Sequence, residues 1–542
     1  MPNDRWAYTI IRTCIAHGVR HVVLCPGARS TPLAIALYLL EQEKRVSVVT
    51  HYDERGAAFY ALGIAKATRH PVAIVTTSGT AVGNLLPALV EAQKSQTPMV
   101  VITADRPPEL TFSGANQTID QGQLLAAVLA YTHTLPVPTS DISAETLAYT
   151  VAHAVSKAVS EHQSVLLNCP FREPLSALPS EGFDCVIPQI QHAATQNLLL
   201  PDTILAQMAT ATAGVILVGS GVDSAAVLAL ATSYDWPIVP DVCHPLRYFS
   251  DRHIVTYADL LADTKQLGSA DFILHLGDPV TGKSLLDWVQ KQSAVYIRIH
   301  HRDDFGEPLF RAQYIGVGAI PFGQLMALSV HPSTFEIPSN TESILAPFLR
   351  DNLSEYTVFH EWDAWLPSGW ALFLGNSQPI RQMAQVAKAA SRDFLKIGTN
   401  RGASGIDGLI ATAGGFMMGH QIPGVLILGD LSFLHDLSSL PLVADQPLLI
   451  LVIQNHGGEI FSRFAVKQHP SFGAFFHLTH QHSCGAAAQW ALGYSRSVNI
   501  DAARPAIDGA IAWIKGSGRA ALLEIMVGES IERDLLNVVA TV

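Results

Sequence analysis

The sequence lacks the features that are typical of a secreted protein, a membrane-spanning protein or a protein with a cysteine-ligated metal site. Only 15 % of its 542 residues are charged, and its six cysteines form no CxxC pair and no zinc-site spacing. Reduced, buried thiols are therefore expected rather than a disulfide framework. The longest apolar runs, such as Pro447–Ile453, fall far short of the ~20 residues that span a bilayer. Because the N-terminus also carries charges where a signal peptide needs an apolar core, we expect a cytoplasmic protein with no membrane insertion.

Positive charge is scarce as well. The 34 Lys and Arg residues are outnumbered by 46 Asp and Glu residues, which gives a net charge of −12 at pH 7. No long basic run is present that could neutralise a nucleic-acid backbone, so we expect no nucleic-acid partner. An acidic protein that binds anionic small molecules must instead gather a few arginines at one place.

What the sequence does contain is a repeated order of apolar strand and helix, within a composition that is 49 % hydrophobic. Such strands are typical of parallel sheets that helices cover on both faces, and ligands of these sheets bind at the carboxyl ends of strands. We therefore predict an α/β protein with three doubly wound parallel-sheet domains. The predicted strands are His21–Cys25, Val46–Val49, Val72–Thr76, Met99–Thr103, Gly214–Val218, Phe272–Leu276, Val295–Ile297, Leu372–Leu374, Val425–Leu428, Leu448–Ile453 and Leu522–Ile525.

Two changes of composition suggest where these domains divide. The stretch Ser176–Gln191 is rich in Pro, Ser and Gly, and His331–Ser343 also has the composition of a linker. The chain therefore divides into domains at 1–183, 184–340 and 341–542.

The most informative residues follow two apolar runs of the last third. Asp430 and Ser432 come directly after Val425–Leu428. Asn455, 25 positions after Asp430, and Gly457 follow the next apolar run, Leu448–Ile453. This spacing allows a helix and a strand, which would place both loops at the ends of adjacent parallel strands. A carboxylate, an amide oxygen and a glycine carbonyl are ligands that suit Mg²⁺ together with a diphosphate.

Either loop alone would be an ordinary turn, since Asp, Asn and Gly favour turns, but the ordered pair favours a metal–diphosphate site. The pair resembles the GDG-to-N signature of thiamine-diphosphate enzymes. Leu431 stands where many members have Gly, and His456 where Asn is frequent, and both are non-ligand positions. The resemblance implies Mg²⁺, or Mn²⁺ in its place, held by Asp430, Asn455 and the Gly457 carbonyl, with Ser432 on the diphosphate.

These enzymes also use a glutamate from another domain, and the first third offers Glu54 just after the strand Val46–Val49. An acidic residue in the first turn of a helix is favoured by the helix dipole in any case. Beside the metal motif, we interpret Glu54 as the carboxyl group that hydrogen-bonds N1′ of the aminopyrimidine and assists its proton transfer.

A narrower resemblance runs through all three thirds in order. The chain is similar to the 2-succinyl-5-enolpyruvyl-6-hydroxy-3-cyclohexene-1-carboxylate (SEPHCHC) synthases of menaquinone biosynthesis, the MenD family. The strings that carry this resemblance are Cys25–Pro32, Thr77–Ala81, Ala104–Leu110, Gly114–Gln117, Thr281–Lys283, Gly375–Ser377 with Arg381, and the highly specific Asn400–Gly408.

The resemblance implies decarboxylation of 2-oxoglutarate and addition of the succinyl carbanion to isochorismate. It also implies three domains. The first binds the pyrimidine (Pyr domain), the second is the central domain, and the third binds the diphosphate and the metal (PP domain). The resemblance also implies a homodimer or homotetramer with active sites at the dimer interface. Both substrates are dianions, which arginine grips bidentately.

The implied roles divide the site residues into groups. Arg381 and Arg401 bind 2-oxoglutarate, Ser377 lies beside the reacting centre, and Ile406 supports the bent cofactor. A further group binds isochorismate or lines its pocket: Arg29, Arg106, Asn116, Gln117, Lys283, Ile460 and Phe461. Taken singly, each has an ordinary alternative as a solvated charge or a core residue. Ala28 departs from the family Ser, which removes one hydrogen bond worth ~1 kcal/mol.

Three rival functions remain open at this point. Another thiamine-diphosphate carboligase, such as an acetolactate-synthase-like enzyme, would not need the arginines. A NAD- or FAD-dependent oxidoreductase would use Gly219-Ser220-Gly221, but Ser224 stands where GxGxxG needs Gly, and we interpret the segment as a strand-to-helix turn. A catalytically inactive structural subunit is disfavoured by the presence of both Glu54 and Asp430.

Overall fold

A computed structural model describes residues 1–541 except 112, 185, 191–197, 302–306, 392, 479, 481–483, 491, 498 and 529. It contains three sheets that follow one another along the chain, with six, five and six strands. Every strand pair in them is parallel, and helices lie between successive strands. The prediction of three doubly wound parallel sheets is therefore confirmed.

The first sheet has the strand order β2-β1-β3-β4-β6-β5. Its strands are β1 (His21–Leu24), β2 (Ser47–Thr50), β3 (Val72–Thr76), β4 (Met99–Asp105), β5 (Tyr131–Thr134) and β6 (Val165–Pro170). Its helices are α1 (Pro2–Ala16), α2 (Thr31–Gln42), α3 (Glu54–Thr68), α4 (Thr80–Gly83), α5 (Leu86–Lys94), α6 (Gln121–Leu125) and α7 (Ala144–Glu161). The order reverses between β1 and β3, so the loops after these two strands diverge and leave a crevice for a ligand.

The central sheet has the order β11-β10-β9-β7-β8. Its strands are β7 (Gly214–Val218), β8 (Ile238–Pro240), β9 (Phe272–Leu276), β10 (Val295–His300) and β11 (Tyr314–Val317). Its helices are α8 (Asp202–Thr210), α9 (Ser224–Tyr234), α10 (Ala258–Asp263), α11 (Lys283–Lys291) and α12 (Phe322–Met326). The Gly219–Gly221 segment lies between β7 and α9, as a strand-to-helix turn.

The third sheet repeats the relative order of the first, β13-β12-β14-β15-β17-β16. Its strands are β12 (Ala371–Leu374), β13 (Ile397–Thr399), β14 (Gly424–Gly429), β15 (Leu448–Gln454), β16 (Gly493–Ser497) and β17 (Ala521–Met526). Its helices are α13 (Thr341–Asp351), α14 (Glu355–His360), α15 (Trp362–Trp365), α16 (Gln378–Val386), α17 (Leu409–His420), α18 (Asp430–His435), α19 (Leu440–Val443), α20 (Ala503–Ser517) and α21 (Glu532–Val539). Here the order reverses between β12 and β14.

The first and third sheets are joined by a close crossing of α3 and α17. Asp53 caps α3, because its Oδ1 accepts the N–H of Arg55 at 3.0 Å. A Cβ atom on Gly63 would lie 2.1 Å from the Thr412 carbonyl oxygen, and one on Gly415 would lie 2.0 Å from the Tyr60 carbonyl oxygen. Glycine at both positions therefore lets the two helix backbones touch.

Apolar residues fill both faces of the sheets, and one core continues from the first sheet across α3 and α17 into the third. Among the residues that the structure describes, none of the helices has both the length and the apolar character that crossing a bilayer requires. The five described cysteines are buried and unpaired.

Candidate active site

The loops after β14 and β15 lie side by side. The two strands pair in parallel register up to Gly429 and Ile453. Asp430 then opens α18, where it is 2 % exposed, and its Oδ2 accepts a hydrogen bond from the Gly457 N–H at 3.0 Å. The structure thus brings together the two loops that the sequence spacing grouped.

The atoms at this place are the kind that a hard cation prefers. Asp430 contributes a buried carboxylate, the Asn455 Oδ1 accepts the Gly458 N–H at 3.1 Å, and the Gly457 carbonyl accepts the Leu478 N–H at 3.0 Å. A Cβ atom on Gly429 would meet no atom within 4 Å, so open space lies directly before Asp430. These oxygens fit Mg²⁺ with a diphosphate.

The donor set differs from a zinc-type cluster. No group of three or more His, Cys, Asp or Glu side chains suited to a metal occurs within the described part of the chain. A site with one carboxylate, one amide and one carbonyl leaves several positions to phosphate oxygens and water, which is the coordination that Mg²⁺ favours. Ser432 lies in the first turn of α18 and is 4 % exposed.

The sequence did not predict that His480 contacts Asp430. Its Nε2 lies 3.1 Å from Asp430 Oδ2, beside the Gly457 N–H. Fifty positions separate the two residues, and the described part of the stretch from the end of β15 to His480 contains no strand that would align them. Sequence spacing therefore contains no signal that could have placed this histidine.

The ends of β12 and β13 carry the residues implied for 2-oxoglutarate. Arg401 Nη1 donates to the Asn376 Oδ1 at 3.1 Å, and Arg381 Nη1 donates to the Ser377 carbonyl at 2.5 Å. Asn376 Nδ2 in turn donates to the carbonyls of Asn400 and Gly405 at 2.8 and 2.7 Å. One amide side chain thus ties the two loops together and accepts a hydrogen bond from the Arg401 guanidinium, while Arg381 donates to the residue that follows this amide.

Two further residues of this region have unusual surroundings. Ser377 has φ 73° and ψ −125°, a strained conformation for a residue with a side chain, and such strain concentrates at functional sites. Ile406 is 38 % exposed although it is aliphatic. Both observations suit residues that face a ligand.

Glu54 occupies the first position of α3 and is half-buried. Its Oε2 accepts a hydrogen bond from Asn84 Nδ2 at 3.2 Å, and Asn84 is a second residue that the sequence did not single out. A half-buried carboxyl group that accepts a hydrogen bond from one side chain has a second oxygen available for a further partner.

Two of the arginines implied for isochorismate lie together at the crevice of the first sheet. The pKa of Arg106 is lowered by burial and by the nearby positive charge of Arg29. Arg106 donates to the Ser78 hydroxyl and to the Gln117 carbonyl, the latter at 3.3 Å, while Arg29 donates to the exposed Glu173 carboxylate at 3.0 Å. Adjacent guanidinium groups of this kind attract a dianion.

The remaining expected residues are more scattered. Asn116 is exposed near Gln117, and Lys283 is the exposed first residue of α11 in the central unit. Ile460 and Phe461 lie in a 3₁₀ turn after Gly458, where the Phe461 ring is 5.4 Å from that of Phe476.

The site residues of one chain therefore form separate groups. Within the described residues, no hydrogen bond or ion pair joins Glu54 to Asp430 or Asn455. The arginine pair follows strands β1 and β4 of the first sheet, and Arg381 and Arg401 follow strands β12 and β13 of the third.

Comparison with known proteins agrees with this geometry. Residues 5–124 match the family model of the thiamine pyrophosphate enzyme N-terminal TPP binding domain. The chain is 34 % identical to a SEPHCHC synthase of Serratia proteamaculans (97 % of this chain, 96 % of the relative). It is 33 % identical to those of Proteus mirabilis (99 and 97 %) and Shewanella frigidimarina (92 and 91 %). The chain therefore belongs to the SEPHCHC synthase family of thiamine-diphosphate-dependent transferases.

Proposed function

We propose that this protein decarboxylates 2-oxoglutarate and adds the resulting succinyl group to isochorismate, with thiamine diphosphate and Mg²⁺ as cofactors. The observation that carries the proposal is the contact between Asp430 and Gly457, which sets an oxygen-rich pair of loops at the ends of adjacent strands. No feature of the site favours an acetolactate-synthase-like activity, whose substrates would leave the arginine groups unused.

The last third holds the cofactor in this proposal. Asp430, Asn455 and the Gly457 carbonyl bind Mg²⁺, for which Mn²⁺ can substitute, and Ser432 donates to the diphosphate. Ile406 packs under the cofactor to maintain its bent shape. When bound, thiamine diphosphate supplies the carbon nucleophile and the electron sink that decarboxylation requires.

Glu54 has the proton-transfer role. Its carboxyl group shares a proton with N1′ of the aminopyrimidine, while Asn84 holds the other carboxyl oxygen in place at 3.2 Å. A general acid–base contact of this kind contributes typically 10²- to 10⁴-fold to a rate.

The two substrates bind to the two sets of cations. Arg381 and Arg401 bind the carboxylates of 2-oxoglutarate, and Ser377 orients the keto group. Isochorismate is held by polar side chains and lies against an apolar wall. The residues in that group are Arg29, Arg106, Asn116, Gln117, Lys283, Ile460 and Phe461.

In this proposal the active site is shared between two subunits, as the resemblance to thiamine-diphosphate enzymes implies. We assign the Pyr domain to residues 1–183, the central domain to 184–340 and the PP domain to 341–542. A homodimer, or a homotetramer built from such dimers, brings the Pyr domain of one protomer to the PP domain of its partner. The buried free cysteines suit a cytoplasmic location.

A coupled assay tests the proposal. Purified protein is mixed with 2-oxoglutarate and isochorismate, with and without thiamine diphosphate and Mg²⁺, and the product and CO₂ are measured. Turnover that needs all four components supports the proposal. Turnover of pyruvate alone, without activity on 2-oxoglutarate and isochorismate, would show that the substrate assignment is wrong.

A further inference from the structure

A buried ion pair of the first third contacts the loop that carries Arg401. Glu91 lies in α5 and is 2 % exposed, and its Oε1 is 2.9 Å from the Nζ of Lys66 in α3. A charge pair removed from water persists only when its remaining donors and acceptors are satisfied. Here the partners that satisfy it come from the third sheet.

The pair makes hydrogen bonds to residues on both sides of Arg401. Glu91 Oε1 accepts the Gly402 N–H at 2.9 Å, and Glu91 Oε2 accepts the Ala403 N–H at 2.6 Å. Lys66 Nζ donates to the Thr399 carbonyl at 2.8 Å and to the Asn400 Oδ1 at 3.0 Å. The backbone before and after Arg401 is therefore fixed by a different sheet of the same chain.

The loop also lies directly against α5. A Cβ atom on Gly402 would be 2.7 Å from the Glu91 carbonyl oxygen and 2.9 Å from the Lys94 Cβ. Since not even a methyl group fits between loop and helix, a small displacement of either one must move the other.

The ionised form of Glu91 is the one that suits these contacts. Burial alone would raise the pKa of Glu91, but the Lys66 ammonium and the N–H groups of Ala403 and Gly402 outweigh it and hold the pKa below its ordinary value. The carboxylate is thus available to both amides at neutral pH.

We propose that Glu91 and Lys66 are positioning residues, which hold the loop so that the Arg401 guanidinium binds 2-oxoglutarate. The inference rests on the proposed function, because it takes Arg401 to bind that substrate. In this proposal neither residue binds the substrate directly. Their effect passes through the backbone at Gly402 and Ala403 and through the contact between Arg401 and Asn376.

Two variants disturb the loop by different means. Glu91→Gln sets an NH₂ group against an N–H or ammonium donor, whereas Gly402→Ala keeps the ion pair and pushes the loop off α5. Matched controls are Glu161→Gln, which alters an exposed pair with Lys157, and Gly509→Ala, at which a Cβ meets no atom within 4 Å.

Because misplacement of a binding group by ~1 Å costs up to ~10²-fold, we expect kcat/KM for 2-oxoglutarate to fall about 10- to 100-fold in both variants. The controls are expected to keep wild-type values.

A double-mutant cycle separates positioning from general destabilisation. Each variant is combined with Arg401→Ala, and kcat/KM for 2-oxoglutarate is measured again. If Glu91 acts through Arg401, Glu91→Gln changes this value by less than about twofold in the Arg401→Ala background. An equal fall in both backgrounds, or wild-type values in both single variants, would overturn the proposal.

Amide hydrogen exchange gives a readout that does not depend on turnover. Peptides that cover residues 400–405 are expected to exchange faster in Glu91→Gln than in wild type, while peptides of β14 stay unchanged. Unchanged exchange at 400–405 would also overturn the proposal. A wild-type protein that ignores 2-oxoglutarate would instead refute the proposed function, and Arg401→Ala with wild-type kinetics would refute the role of Arg401.

Discussion

The carboxylate of Asp430 accepts a hydrogen bond from the backbone N–H of Gly457, 27 positions later in the chain. The contact exists because β14 and β15 are neighbours in parallel register and end at the same edge of the sheet. It joins a carboxylate on one loop to a glycine on the next, at the carboxyl ends of two neighbouring parallel strands, where ligands of such sheets bind.

Replacing Asp430 by Ala is expected to abolish Mg²⁺-dependent binding of thiamine diphosphate, because the buried carboxylate is the one charged ligand proposed for the ion. Isothermal titration calorimetry with and without Mg²⁺ measures this. Asp445→Ala, in the same third but with its side chain 85 % exposed, is the matched control and should bind normally. Unchanged affinity in Asp430→Ala would refute the ligand assignment.

Replacing Glu54 by Gln is expected to preserve cofactor affinity and to reduce kcat by about 10²-fold or more, because shape is kept while the shared proton is lost. The affinity is measured by titration and kcat by the coupled assay. Glu161→Gln, an exposed glutamate of the same third, should keep wild-type kcat. Wild-type turnover in Glu54→Gln would remove this residue from the mechanism.

Mixing the two inactive proteins tests whether the site is shared. If Glu54 of one protomer faces Asp430 of its partner, a heterodimer of Glu54→Gln and Asp430→Ala contains one intact site. Random exchange of subunits should then restore about one quarter of wild-type activity. Differently tagged chains, co-purified through both tags, identify the heterodimer. An inactive, purified heterodimer would argue against sites built across subunits.

Replacing Arg401 by Lys is expected to raise KM for 2-oxoglutarate by about tenfold, because lysine keeps the charge but loses the planar pair of donors. Steady-state kinetics at saturating isochorismate give the value. Arg504→Lys alters an exposed arginine that pairs with Asp508 within α20, and it should leave KM unchanged. An unaltered KM in Arg401→Lys would mean that this guanidinium does not bind the substrate carboxylate through two hydrogen bonds.

A buried acid of the central unit should make stability depend on pH. Burial and the nearby charge of Asp241 raise the pKa of Asp259 to about 7, against the opposing effect of Arg247. The folded protein therefore holds this proton where the unfolded chain, with a pKa near 3.8, has lost it, so stability falls as pH rises from about 4 to about 7.

Asp259→Asn cannot ionise and should lose that part of the pH dependence. The difference in free energy of unfolding between Asp259→Asn and wild type should shift in favour of the variant by on the order of 2 kcal/mol between pH 5 and pH 8. Urea unfolding at both pH values measures the change. Asp287→Asn, an exposed position in α11, should show no such difference, and equal behaviour of the two variants would contradict the prediction.

The sequence predicted every described inner strand except β6, and it predicted only β2 among the edge strands. The bounds of β3, β7 and β9 agree with the predicted runs, because each strand is buried along its whole length and apolar at most of its positions. Six of the described strands were not predicted: the inner strand β6 and the edge strands β5, β8, β11, β13 and β16. Among these, β5 and β16 carry polar residues that are half-exposed, such as Thr132, or exposed, such as Arg496, so neither forms an apolar run. Long-range pairing, rather than local composition, makes them strands.

The same distinction holds at the candidate site. The spacing of Asp430 and Asn455 was sufficient to place their loops together, since parallel strands order their own ends. The contacts made by His480, Asn84 and Glu91 depend on how distant segments fold back or on how helices of the first sheet dock on the third. No local pattern encodes such docking, and the shared-subunit role of Glu54 stays a prediction.

The crossing of α3 and α17 has a mechanical consequence. With no space for even a methyl group at Gly63 or Gly415, a side chain at either position would collide with the backbone of the opposite helix. It would push α3 and α17 apart and so disturb the packing between the first and third sheets. The relative placement of these two sheets thus depends on two positions that contain no chemistry of their own.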